Sequence, residues 1–222
     1  MHPIRYYKQM NKSVKCSLYF VLCSLIQKGI AFITIPIFTR IMTTDEYGHF
    51  STFHSWQQII IIFTSINIAY GILNKALTKF KNHNLFIGSA QALYSVITII
   101  IFFLYQGAKL LFGQILDVPV WVEALLFISM LVTPALDMFS VKSRYELKYG
   151  VSVVLTIALA ILNPLLGLLM ISFGGDKGLS RIESYLISQI IICLPVYIYN
   201  FVKAKRITIK YWKYVYFLLK IG

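Results

Sequence analysis

The chain has 222 residues, 58% of them hydrophobic and only 13% charged, with a formal net charge of +13. Soluble domains run at roughly 45–50% apolar and about 25% charged, whereas the mean hydropathy here is +0.73. These figures exclude a soluble enzyme with an ordinary core and a disordered chain, and Cys16, Cys23 and Cys193 are too few for a disulfide framework.

A hydrocarbon layer about 30 Å thick takes roughly 20 mostly apolar residues as a helix. Segments 17–42, 51–73, 85–106, 120–141, 151–173 and 184–202 meet that standard. The expected fold is therefore all-α: a polytopic integral membrane protein with six transmembrane helices and short loops.

The first span follows a basic start, Arg5, Lys8, Lys12 and Lys15, which imitates a signal peptide. Its apolar run is too long for one, is broken by Lys28, and lacks a small-residue cleavage site. It reads as a retained helix, with Gly29 and Pro36 inside it and Arg40 at its far end. Ser17, Ser24, Lys28 and Ala31 recur at helical spacing and share a face.

The second span carries Ser51, Ser55, Gln58, Ser65 and Ala69 in the same manner, and the third Gly88, Gln91, Ser95 and Thr98. The fourth contains Pro134 and Asp137, the sole acid predicted inside a span. The fifth runs VSVVLTIALAILNPLLGLLMISF without a charge, aligning Thr156, Ala160, Asn163 and Gly167 beside Pro164. The sixth holds Pro195. Residues 203–222 are basic and aromatic but too short to span. They read as a helix in the cytoplasmic interface, with lysines on headgroups and Trp212, Tyr216 and Phe217 dipping inward.

Charge sets the orientation. The basic start, Lys75, Lys79 and Lys81, Lys142, Arg144 and Lys148, and Lys203, Lys205, Arg206, Lys210, Lys213 and Lys220 all fall on one side. Only Arg40, Lys109, Lys177 and Arg181 flank the other. Asp45, Glu46, Asp117, Glu123, Asp176 and Glu183 lie on that second side too. The positive-inside rule then places both termini in the cytoplasm. Basic residues beside apolar spans are matched to anionic headgroups, so membrane lipids are the expected partner and nucleic acid is not. Tyr6, Tyr7, Tyr47, Trp56, Tyr105, Trp121, Tyr149, Tyr185 and Tyr199 sit near span ends, as interfacial aromatics do.

Polar residues within spans need protein or water around them. For the small members of the four stripes, tight helix packing is reason enough. For Gln58, Gln91 and Asn163, packing and a hydrated cavity are equally good readings. Lys28 is different, because an ammonium at mid-span costs roughly 2.5–3.5 kcal/mol on insertion scales. A cavity facing an anionic substrate is the preferred account of it. An ion pair with Asp137, simple tolerance at the lipid face and a misplaced span boundary stay open.

Nothing in the sequence reads as catalytic. His2, His49, His54 and His83 lack metal-ligand spacing, and FGGDKGLS lacks the spacing of a phosphate-binding loop. Asn11-Lys12-Ser13 is a glycosylation sequon on the predicted cytoplasmic side. Asp117 and Glu123 flank a span rather than face each other across a substrate. No metal and no cofactor is expected.

Residues 28–48, KGIAFITIPIFTRIMTTDEYG, resemble the first helix and first outer loop of the polysaccharide (lipid-linked oligosaccharide) flippase family, in the MATE-like exporter superfamily. The features carrying the resemblance are Lys28-Gly29, Pro36, Thr39-Arg40, Glu46 and Tyr47-Gly48; Thr44 departs from it, where relatives often have proline. The resemblance implies a lobe of six helices, two such lobes surrounding a central cavity. It implies transport of an undecaprenyl-diphosphate-linked glycan across the bacterial cytoplasmic (inner) membrane, for O-antigen, capsule or exopolysaccharide synthesis. Lys28 would line the cavity and Arg40 its outer mouth. By this reading the chain is the N-terminal lobe only, truncated before a seventh span, and its cavity needs a second lobe or a second copy. Other readings are a non-transporting membrane fragment or scaffold, a multidrug exporter lobe of the same superfamily, and a membrane enzyme of the same pathway. A cation exporter would favour acidic cavity residues, and an enzyme would need a large outer loop or clustered catalytic groups.

Overall fold

The computed structural model describes residues 11–65, 68–113, 116 and 118–221. The expectations resting on His2, Arg5, Tyr6, Tyr7, Lys8 and Asp117 lie outside the described residues. Helices account for nearly all of the rest: α1 (Lys12–Ile41), α2 (Thr44–Ser65), a π-helical turn (Ile68–Ile72), α3 (Leu73–Lys79), α4 (His83–Phe112), α5 (Val120–Tyr145), α6 (Gly150–Ser172), α7 (Lys177–Ala204) and α8 (Ile209–Ile221). No strand occurs among the described residues.

Local chemistry sets the helix starts. Thr43 and Glu46 form a reciprocal capping box at the head of α2. The Thr43 N–H donates to Glu46 Oε2 at 2.7 Å, and the Glu46 N–H to Thr43 Oγ1 at 3.3 Å. Asn82 and Asp176 cap α4 and α7 by accepting from the N–H groups of Leu85 and Leu179, each at 3.1 Å. Thr44 is the first residue of α2, a position that accepts proline without loss because its N–H is an orphan anyway.

α7 is the centre of the bundle, packing on α5, α6, α4 and α2, while α1 leans mainly on α6. Close approach of α4 and α7 depends on Gly88, since a Cβ there would collide with the Ala204 side chain. Only Cys16, Cys23 and Phe38 of α1 are buried, so its apolar surface faces outward along most of its length. That is the behaviour of a helix in contact with lipid or with another chain, not of a core helix.

α1, α4, α5, α6 and α7 are each long and apolar enough to cross a membrane, so the protein is an all-α membrane protein. They correspond to five of the six predicted segments. The second, 51–73, is covered by α2 as far as Ser65 and resumes in the π turn; α2 has 22 residues, but its polar first half keeps it out of the set of helices apolar enough to cross a membrane. α2 on one side, and the π turn with α3 on the other, nevertheless reach opposite ends of the bundle. The backbone at Glu46 abuts Gly178 at one end, and Lys79 stacks on Tyr214, 4.5 Å from its ring centroid, at the other.

The two ends differ in charge. One gathers Lys79, Lys142, Arg144, Lys148 and the α7–α8 junction, tied together through Arg144 on Phe20 and through Trp212 on Ser89. The other end has Lys177 donating to the Ile41 carbonyl at 2.7 Å. It also holds Glu123, which sequence reading places in a flanking loop. It lies instead within α5, 1% exposed, accepting from Lys109 at 2.7 Å and from the Tyr105 hydroxyl at 2.7 Å. The reason is neutralisation: a carboxylate can be buried once a cation and a hydroxyl replace its water.

The segment after α7 also differs from expectation. α8 is seated on the bundle: Val215 is fully buried and Tyr211 and Tyr214 pack on Phe80 and Phe86. Trp212 Nε1 donates to the Ser89 carbonyl at 2.7 Å. Tyr216 and Phe217 face outward. Trp212 therefore points to protein, and only the other two remain for a membrane interface.

Candidate functional site

The first turn of α7 is pinned to the α1–α2 junction through Lys177 and through Gly178, where a Cβ would lie 3.0 Å from the Glu46 carbonyl oxygen. One turn further in stands Arg181, 7% exposed. Its Nη1 donates to Asn163 Oδ1 at 2.7 Å, to Ser184 Oγ at 3.3 Å and to the Asn163 carbonyl at 3.4 Å. The guanidinium carbon sits 4.3 Å from the Phe38 ring centroid and 4.7 Å from that of Phe50. The Nε–H has no hydrogen-bond partner. Among the described residues no carboxylate forms an ion pair with Arg181.

The sequence builds this nest from small and kinked positions. Gly167 gives the Phe38 ring its space, for a Cβ there would lie 2.8 Å from Phe38 Cζ and 3.0 Å from Arg181 Nη1. Pro164, inside α6, has no N–H for the carbonyl of Ala160, and both residues border the adjoining cavity. Tyr185 continues the wall one turn along α7, edge-on to His54 with ring centroids 5.0 Å apart.

The cavity, about 360 Å³, opens between α1, α2, α6 and α7 and is lined by Gln27, Phe38, Tyr47, His54, Asn163 and Arg181, among others. No carboxylate belongs to its lining among the described residues. Cation–π stacking and hydrogen bonds to charge offset part of the desolvation of Arg181. They supply no negative charge. A buried guanidinium that no carboxylate neutralises, beside a cavity with no acid among its described lining residues, is complementary to an anion, and planar N–H groups suit phosphate. The volume falls near the lower end of ligand sites, enough for a headgroup or a sugar and not for a whole lipid-linked glycan.

The predicted site residues distribute unevenly around this centre. Asn163 is in it. Gln58, exposed on α2, touches its edge by donating to the Tyr185 hydroxyl at 3.2 Å. Gln91 is fully buried elsewhere, donating to the Tyr197 carbonyl at 2.8 Å and accepting from Asn200 at 3.0 Å. Gly88, Gln91, Ser95 and Thr98 thus form a packing seam of α4. Lys28 and Arg40 are exposed on α1 and are not among the residues bordering the cavity. Asp137 is half-buried on α5 within electrostatic reach of Tyr94 and Cys193, and no ion pair joins it to Lys28. Ser17, Ser24 and Lys28 on α1, with Ser55 on α2, are the polar members of these stripes that stay exposed away from the cavity, a polar strip uncovered by this chain.

Sequence reading missed Arg181 itself. It stands four residues past the turn that ends at Lys177 and looks like loop-flanking charge. Its signal was the spacing Arg181, Ser184, Tyr185 and Ser188, a polar face continuing into the apolar run of α7. No group of three or more metal-ligating side chains occurs among the described residues. No family model, curated protein or solved structure matches the chain.

Proposed function

We propose that this chain is one lobe of a membrane transporter, a flippase that carries a polyprenyl-diphosphate-linked glycan from the inner to the outer leaflet of the cell (inner) membrane. The observation that carries the reading is Arg181, buried beside an acid-free cavity with its cationic charge unmatched by any carboxylate. A diphosphate crossing hydrocarbon needs compensating charge, and a desolvated guanidinium supplies it where water cannot. In this reading Arg181, with Asn163 orienting it, holds the anionic headgroup. Lys28 lies outside the cavity, on a surface that a further lobe would cover.

The lobe makes six crossings, the second through α2, the π turn and α3, and both its ends lie in the cytoplasm. Concentration of Lys79, Lys142, Arg144, Lys148 and Lys203 at one end supports that orientation. The uncovered polar strip on α1 and α2 supports a second lobe or second copy, because hydrocarbon cannot solvate it. The fit of cavity to anion argues for a transporter of lipid-linked glycans over a multidrug exporter lobe, whose cations would need an acid there.

Binding tests the reading. The purified chain in nanodiscs should retain a polyprenyl diphosphate, and Arg181→Gln should weaken that retention about tenfold. In its native cell, Arg181→Gln should lower surface glycan while membrane abundance stays unchanged. Unaltered surface glycan would remove Arg181 from the mechanism.

A further inference from the structure

The opposite end of the bundle contains a second cavity, about 370 Å³, lined by Ala69, Asn74, Val141, Arg144 and Tyr145. It forms where the chain passes from the π turn into α3, against the last turns of α5. A π turn is wider than an α turn and recurs at functional positions. Here it buries Ile68 and Ile72 and presents the small Ala69 to the gap.

Arg144 is the charged group in this cavity. Its guanidinium carbon stacks 4.5 Å from the Phe20 ring centroid, and among the described residues its side chain makes no hydrogen bond or ion pair. The nearby acid is already engaged. Glu146 accepts from His83 at 3.2 Å and lies 3.8 Å from Lys142 Nζ and 3.9 Å from Lys148 Nζ. Three basic groups around one carboxylate leave nothing to neutralise Arg144. Its donors stay free, and the exposed guanidinium rests against the Phe20 ring.

We propose that this cavity is a phosphate-binding site for an anionic lipid headgroup in the leaflet at that end. A guanidinium held by an aromatic ring presents parallel N–H donors that match two phosphate oxygens. Asn74 adds amide donors and Tyr145 a hydroxyl. Ala69 and Val141 make the remaining wall apolar, which suits the glycerol and acyl stem of a lipid and gives nothing to a free phosphate ion. Basic pockets between spans on the cytoplasmic side are places where lipid headgroups bind. The site is separate from the Arg181 cavity, and its failure would leave the transport reading standing.

The test uses the purified full chain in nanodiscs of phosphatidylcholine and phosphatidylglycerol, with retained lipids counted by native mass spectrometry. The wild type should retain phosphatidylglycerol selectively. Arg144→Gln should cut that retention about tenfold, the consequence of losing one charge-assisted contact. Asn74→Ala should cut it less, and Lys210→Gln, which removes an equal charge from an exposed position on α8, should leave it intact. Unchanged retention in the folded Arg144→Gln and Asn74→Ala proteins would overturn the proposal. So would an equal loss in Lys210→Gln, which would make the effect one of net charge. A further arm adds inorganic phosphate: failure to displace the lipid supports a headgroup site, and displacement overturns the lipid assignment in favour of a free anion.

Discussion

Arg181 and Asn163 are joined by a 2.7 Å hydrogen bond from Nη1 to Oδ1, linking the first turns of α7 to the middle of α6. The pair orients a buried cation without neutralising it. That separates two roles which a salt bridge would merge, holding the group in place and cancelling its charge. The first prediction follows from this separation. Arg181→Met removes a buried charge with no acid to strand, so thermal stability in detergent should stay level or rise. Anion retention should vanish in the same protein. A stability loss of about 3–5 kcal/mol would instead mark Arg181 as one partner of a structural ion pair.

Asn163→Leu should behave in the opposite manner. It keeps the charge and deletes its strongest hydrogen-bond partner, which costs about 1.5–3 kcal/mol for a bond to a charged group. Urea or thermal unfolding of the purified protein would show the loss. Added diphosphate should restore part of it, because a ligand that binds only the folded state stabilises that state. No recovery on adding ligand would separate Arg181 from anion binding.

Gly167 offers an approach without touching charge. A methyl group there meets Phe38 and Arg181 at sub-van der Waals distances, and overpacking of that kind costs about 1–3 kcal/mol. Gly167→Ala should therefore displace the Phe38 ring, loosen the guanidinium and reduce anion retention several-fold with membrane abundance unchanged. Gly29→Ala is the control, since no atom lies within 4 Å of a Cβ built there. Equal retention in the two variants would show that the nest does not depend on close packing of α6.

How much of this was legible in sequence depends on which force placed each residue. Hydrophobic length is local, and α1, α4, α5, α6 and α7 could be read from it. The polar stripes could be seen but not sorted, because Gln91 in a packing seam and Asn163 at a cavity share the same spacing. What distinguishes them is the neighbour: Gly88 lets α7 approach α4 closely, whereas Pro164 and Gly167 leave a gap filled by aromatic rings. Read locally, Arg181 and Glu123 both belong to loop margins, because charge near a span end ordinarily snorkels to water. Their burial depends on partners remote in sequence, Phe38 and Phe50 for the first and Lys109 for the second. Glu46, by contrast, has a role that local sequence shows, closing the capping box with Thr43.

The buried pair of Glu123 and Lys109 gives a test of the end opposite the basic rim. Glu123→Ala leaves Lys109, 23% exposed, without its carboxylate and empties a position where Glu123 is 1% exposed. The loss for a broken buried pair is about 3–5 kcal/mol, and the partial exposure of Lys109 places this one at the lower end. Glu123→Leu with Lys109→Met should recover most of it, since an apolar pair needs no desolvation. If the double variant is as unstable as Glu123→Ala, the carboxylate's bond to Tyr105 matters more than its charge.

The last prediction concerns α8, where neighbouring residues differ sharply in exposure. Val215 is fully buried against the bundle and Tyr216 is 71% exposed. The native Cys16, Cys23 and Cys193 are buried, so a single introduced thiol can be followed against a low background. In native membranes, Tyr216→Cys should react with a charged maleimide and Val215→Cys should not. Reaction should occur only when the reagent reaches the cytoplasmic face, given the basic residues gathered at that end. Labelling of Tyr216→Cys from the outside would reverse the orientation. Equal labelling at both positions would show α8 detached, free of the Trp212 hydrogen bond to Ser89. Trp212→Phe then gives the energetic counterpart: it keeps the ring, loses one neutral hydrogen bond worth about 1 kcal/mol, and should raise the labelling rate at Val215→Cys about fivefold.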